Sequence, residues 1–248
     1  MDDRKKIDHF WKIRSAKYDN LFWTKDDSYL KDIFEAADLN KNQFVLDVGT
    51  GTGTVAKGMK DFVRQVVAVD ISDSMLEKGL WNGISVVNWD IGEKLFAEAI
   101  FDRVVARMIF HHILDNLDRA ILRCYDLLKE GGKIVVAEGI PPSEDPEIID
   151  WYTEMFKHKE ERRTFTESQL KYYLEKNGFK NVKIKRHIMN NFSINNWVEN
   201  SGLDEKVQKT IIDIHLNAPQ KVKDAYEMRV ENGECLVKTE NLILTGEK

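Results

Sequence analysis

The chain has 248 residues, 42% of them hydrophobic, which is enough to bury one sizeable core in a single enzyme-sized domain. A formal net charge of −5 with 32% charged residues lacks the basic excess that phosphate contacts demand, so nucleic acid is not an expected partner. Cys124 and Cys235 make neither a disulfide framework nor a metal-ligand spacing, no run reaches membrane-spanning length, and MDDRKKIDHF carries no apolar signal segment; the expectation is a cytoplasmic protein.

Residues 1–40 read as helices. Ile7, Phe10, Trp11, Arg14 and Tyr18 recur at helical spacing, and a second helix is expected over Ser28 to Ala37. Strands and helices then alternate, which predicts a mostly parallel sheet with helices on both faces. The expected strands are Phe44 to Val48, Gln65 to Val69, Ile84 to Asn88, Phe101 to Ala106, Lys133 to Glu138, Val182 to Met189 and Cys235 to Thr245. A helix from Thr54 through Phe62 should bury Val55, Met59 and Phe62, and another, Leu117 to Lys129, should stop at the Gly131-Gly132 cap. Asn190 to Glu234 holds three further helix signals, around Ser193 to Glu199, from Asp204 to Asn217, and after Pro219.

The most informative stretch is Val45 to Gly53, VLDVGTGTG, an apolar strand entering a glycine-dense turn ahead of a helix. Such a turn sets bare backbone and unpaired helix N–H groups against a nucleotide-like cofactor. Gly49, Thr50, Gly51 and Gly53 form it, and Asp70 follows the second strand about 20 residues on, where doubly wound folds place the acid that holds ribose hydroxyls. Dinucleotides and S-adenosylmethionine both fit this layout. The G-T-G-T-G spacing departs from GxGxxG, and Asp47, inside the strand, would repel a pyrophosphate but attract the ammonium of a methionine moiety.

With VVAVDIS (66–72), VVNWDIGE (86–93), FDRVVARMIFHHILD (101–115) and LLKEGGKIVVAEG (127–139), the chain resembles class I S-adenosylmethionine-dependent methyltransferases. The resemblance covers most of residues 43–139 and is best to the UbiE-like small-molecule branch, methyltransferase type 11, with a helical insertion before the last strand. It implies a Rossmann-like α/β fold, a seven-stranded mostly parallel sheet whose last strand is antiparallel. The expected layout is a single domain, 1–248: a helical lid at 1–40, a cofactor-binding core at 41–140, cover segments at 141–170 and 190–234, and final strands at 182–189 and 235–245.

The resemblance further implies that Asp90 and Ile91 meet the adenine, that Ile71 and Met75 flank it, that Arg107 faces the methionine end, and that Tyr18 closes over the cofactor. Trp89 is a weaker candidate. S-adenosylhomocysteine would be the product and a small organic molecule the methyl acceptor, through O, N, S or C; a homo-oligomer is compatible. His111 and His112 are the candidate general bases, with packing against the sheet as the alternative. No metal is expected. Arg162-Arg163 and Lys183 to His187 read as solvated charge, with contact to an acidic substrate as the alternative for Arg162 or Arg163. Rival readings of the whole chain are a catalytically silent cofactor-binding or docking protein, an NAD(P)-dependent oxidoreductase, and a methyltransferase of RNA or protein.

Overall fold

The computed structural model describes residues 3–248. Two helices precede the sheet, α1 (Asp3–Ser15) and α2 (Asp27–Ala37), with short 3-10 turns at Tyr18–Asn20 and Phe22–Lys25 between them. The first turn of α2 is capped by Asp26, whose carboxylate accepts the Ser28 and Tyr29 N–H groups. Alternating elements follow: β1 (Phe44–Val48), α3 (Thr54–Met59), β2 (Gln65–Asp70), α4 (Asp73–Leu76), β3 (Ser85–Asn88), β4 (Phe101–Arg107), α5 (Leu117–Leu127) and β5 (Leu128–Ile140). The second half contains α6 (Pro146–Lys157), α7 (Glu167–Lys176), β6 (Lys180–Ser193), α8 (Ile194–Glu199), α9 (Glu205–Leu216), α10 (Gln220–Ala225), β7 (Arg229–Glu231) and β8 (Glu234–Glu247).

The main path of the sheet runs β3-β2-β1-β4-β5-β8-β6. The first five pair in parallel, and β8 inserts antiparallel to both β5 and β6. Among the described residues β6 joins the sheet through β8. The expected seven strands are corrected to eight, because Arg229–Glu231 folds back on Glu234–Leu236 as a short hairpin arm.

Strict alternation along the central strands divides the core. Val45, Val66, Val105 and Val135 face α2, α3 and the inserted helices, whereas Leu46, Val67, Val104 and Val136 face α5 and α7. Two helix expectations fail for local reasons. The helix expected through Lys129 ends at Leu127, since Leu128 is already extended and both leucines are fully buried, so strand pairing wins before the Gly131-Gly132 turn is reached. The helix at Thr54 ends at Met59, so Phe62 leaves its apolar face and is 54% exposed, tilted against Phe34.

All three inserted helices are present, and near the carboxyl end of β5 Trp197 of α8, His215 of α9 and Tyr226 just after α10 meet Trp151 and Phe156 of α6. Among the described residues no helix is long and apolar enough to cross a membrane.

Candidate active site

Ligand sites in open α/β sheets lie at the carboxyl ends of the strands, where β1, β2 and β4 deliver the predicted residues side by side. The turn after β1 depends on its glycines. Gly49 has φ +66°, and a Cβ there would lie 2.6 Å from Ile109 Cγ1; Gly51 has φ +57°, and its Cβ would meet Met75 Cε at 3.1 Å. Thr50 ties the turn to β2 through its N–H, which donates to the Val69 carbonyl at 2.9 Å.

Asp70 closes this corner. Its Oδ2 accepts the Gly51 N–H at 2.8 Å and its Oδ1 accepts the Ser72 N–H at 2.9 Å, so the carboxylate joins the glycine turn to the loop after β2. Burial raises its pKa against those hydrogen bonds. Met75 is buried beside Gly51, Ile71 is half-buried, and Ile91 lies in the core beyond β3. Asp90 accepts the Gly92 N–H at 2.8 Å, which organises its own loop. Trp89 is buried in the core edge-on to Phe96 and is a packing residue.

Asp47 and Arg107 define the other end. Asp47 is buried, accepts the Thr50 hydroxyl at 2.6 Å, and is pushed up to about 7 by that burial, which the Thr50 bond and nearby Arg107 only partly offset. Arg107 is buried under the Trp23 ring, 5.0 Å from its centroid, with Nη1 lacking a partner. A carboxylate short of a cation beside a guanidinium short of an anion matches the two ends of a zwitterionic amino acid, so the residues fit the methionine moiety that the sequence resemblance implies.

The segment from α1 to the second 3-10 turn lies across these groups. Asp8 accepts the Ser72 hydroxyl at 2.7 Å and, from Ser74, the N–H at 2.9 Å and the hydroxyl at 3.0 Å. Asp19 accepts the Thr52 hydroxyl at 2.6 Å. Tyr18, expected in the first helix, sits in the 3-10 turn beyond it, edge-on to Trp23 and 3.9 Å from the Gly51 Cβ position.

His111 and His112 follow β4 and line a cavity of ≈ 130 Å³ next to Tyr18 and Met108. His111 is 2% exposed, with Nδ1 2.6 Å from Glu138 Oε2; Glu138 Oε1 accepts the Phe110 N–H at 2.7 Å. Burial pushes His111 well below and Glu138 up to about 7, and one proton lies between them. His112 packs edge-on to Trp11 at 4.8 Å and is likewise held neutral by burial.

His111, His112 and Glu160 offer ligand atoms within 4.8 Å of one another. The Glu160 oxygens are already taken by Lys159 at 2.6 Å and Arg162 at 3.8 Å, and burial of the carboxylate is more than offset by these cations, which hold it below the usual range. A dication there would compete with both cations for the carboxylate.

The reading of Arg162 and Arg163 as solvated charge is corrected. Arg162 is only 4% exposed in its side chain and lines the cavity, while Arg163 donates to the Ile113 and Leu114 carbonyls and pins the loop after His112. His187 is also buried, 2.7 Å from Asp32. Sequence reasoning missed Glu138, Glu160, Asp8 and Asp19. Glu138 carried a signal: a carboxylate within the apolar run IVVAEGI, at the carboxyl end of its strand, where solvation cannot explain it.

A family model described as "Methyltransferase domain" matches residues 22–184. The ubiquinone/menaquinone biosynthesis C-methyltransferase UbiE of Proteus mirabilis is 30% identical over 132 residues, 48% of this chain and 52% of that protein. The chain thus spans about half the length of the curated relatives first matched. The YcgJ protein of Bacillus subtilis superposes with a TM-score of 0.80 at 18% identity, over 89% of this chain and 98% of its own. Phosphoethanolamine N-methyltransferase 2 of Haemonchus contortus, crystallised with S-adenosyl-L-methionine, gives 0.61 at 18% identity, over 90% and 52%. Because the family model extends over well more than half of the residues, from the turn before α2 into β6, this chain belongs to the methyltransferase-domain family.

Proposed function

We propose that the protein is a methyltransferase that moves the methyl group of S-adenosylmethionine to a small organic acceptor. The carrying observation is the pair at the β1 and β4 ends, Asp47 in no direct ion pair and only partly offset by nearby Arg107, and Arg107 with an unused donor, close to Asp70 and beside a cavity lined by aromatic and aliphatic side chains.

Asp47 would take the ammonium and Arg107 the carboxylate of the methionine moiety. Asp70 would hold the ribose hydroxyls, while Ile71, Met75, Asp90 and Ile91 enclose the adenine and the Gly49–Gly53 turn lets backbone approach. When bound, the cofactor supplies an electrophilic methyl whose C–S bond breaks as the acceptor's lone pair bonds to carbon, leaving S-adenosylhomocysteine. Positive charge is neutralised or spread during such a transfer, so alignment in a water-poor pocket supplies much of the acceleration. Tyr18 and the strap from α1 exclude water. His111, with Nδ1–H directed at Glu138, keeps the Nε2 lone pair available for the acceptor's proton.

The test is calorimetric titration with S-adenosylmethionine, S-adenosylhomocysteine and NAD⁺, repeated on Asp70→Asn. Saturable binding of the two sulfur compounds, weakened about 10-fold or more by loss of a charge-assisted hydrogen bond, is the expected result. Binding of NAD⁺ alone would replace this reading with an oxidoreductase.

A further inference from the structure

The cavity beyond Tyr18 and Met108 is walled by aromatic and aliphatic side chains, but it also carries three cationic side chains, Arg14, Lys159 and Arg162. Their internal partners are too few. Lys159 and Arg162 share Glu160, and Arg14 donates to the Phe10 and Lys159 carbonyls at 3.2 and 3.4 Å. Arg14 Nε and Arg162 Nη2 are buried without a partner, and so is the hydroxyl of Thr239 on the same wall. Arg14 is 7% exposed and the Arg162 side chain 4%.

Against these cations stand Glu160 and the Glu138–His111 pair. The lining is net positive, three cations against Glu160, and stays so when Glu138 behind His111 is counted as ionised. Buried guanidinium groups with unused donors are costly unless an anion completes them. Arg162 is also braced, its guanidinium carbon 4.2 Å from the centroid of Phe156, and with Nε donating to the Arg163 carbonyl and Nη1 facing Glu160, Nη2 is its unused donor.

We infer that the methyl acceptor is a single-ring aromatic compound bearing one anionic group, with the anion seated on Arg162 and Arg14 and the ring among the cavity aromatics. This rests on the methyl-transfer reading above. The anion is the anchor and takes no part in the reaction; a hydroxyl or amine elsewhere on the ring, toward Tyr18 and Met108, is the nucleophile, and its proton passes to His111. The size agrees, since ≈ 130 Å³ is close to the ~150 Å³ cavity that accepts benzene.

The experiment uses the full chain saturated with S-adenosylhomocysteine and compares hydroxybenzoates, aminobenzoates and phenylphosphate with the neutral benzamides by calorimetry. The acids should bind at least 10-fold more tightly than their amides, with the carboxylate and phosphate arms showing which anion is preferred. Arg162→Gln should erase that preference and leave S-adenosylhomocysteine affinity unchanged. Arg162→Lys, which keeps the charge and loses the fork, should restore part of it and serves as the test if the glutamine variant misfolds. Acids and amides binding alike, or none binding while S-adenosylhomocysteine does, would overturn the acceptor class and spare the methyl-transfer reading. Absence of S-adenosylhomocysteine binding would overturn both.

Discussion

Replacing Asp47 with Asn should stabilise the cofactor-free protein while damaging its function. The carboxyl is buried and its pKa rises from 3.8 to about 7, which corresponds to about 4 kcal/mol as an upper bound. Local relaxation and water penetration reduce such costs, so ~2 kcal/mol is the expected reading. Because the folded pKa lies above the unfolded one, the folded state holds the extra proton between pH ~4 and ~7, and stability falls as pH rises through that window. Urea melts at pH 5.5 and 8 should show the drop in the wild type and a smaller one in Asp47→Asn. Glu138 contributes with the same sign in both proteins and cancels from the difference.

The same reasoning fixes a binding signature. An ammonium beside Asp47 favours its ionised form, so S-adenosylhomocysteine binding at pH 7 should release about half a proton from this site. Calorimetry in two buffers of different ionisation enthalpy measures that number. Asp70, also raised by burial, can add to the total, so the decisive quantity is the difference between wild type and Asp47→Asn. Equal proton release from the two proteins would refute the placement of the ammonium at Asp47.

Glu138→Gln should retain the Phe110 contact but turn an amide donor toward His111 Nδ1, moving the ring proton to Nε2; nitrogen NMR shifts report the tautomer, and turnover should fall about 100-fold with cofactor affinity unchanged. Asp8→Ala removes three hydrogen bonds from α1 to Ser72 and Ser74 at the start of α4, so amide exchange in α1 should accelerate and S-adenosylhomocysteine should dissociate roughly 3- to 10-fold faster. Gly49→Ala combines a left-handed φ of +66° with a 2.6 Å clash against Ile109, whereas Gly83→Ala has φ +76° and open space. The first should cost clearly more than the ~1 kcal/mol of conformational strain expected for the second, read from paired thermal melts.

The cofactor half of the site was legible because it is local: one turn, two strand ends and an acid at fixed spacing draw on consecutive residues, and Asp70 bonds to the very turn that pointed to it. The antiparallel insertion of β8 came from family resemblance, since alternation gives the faces of a strand and not its direction. The acceptor side was poorly legible. Arg14 lies on α1 and Arg162 beyond α6, and only tertiary packing brings them to one cavity, with Glu138 of β5 behind its His111 wall. Arg162 looked like solvated charge for the same reason: its neighbours in sequence, Glu161 and Arg163, are charged, and nothing local marks its burial. The early end of α5 was hidden because Leu127 and Leu128 suit a helix as well as a strand, and pairing to β4 decides between them.

The place of β8 also sets an order of assembly. It lies between β5 and β6 yet follows both in the chain, so the nascent protein offers an open β5 edge and an unattached β6 until β8 emerges. The longest antiparallel pairing in the sheet is therefore made late and across a large loop. During synthesis that exposed edge is the site most open to pairing with another chain, and chaperone protection should matter most in that interval.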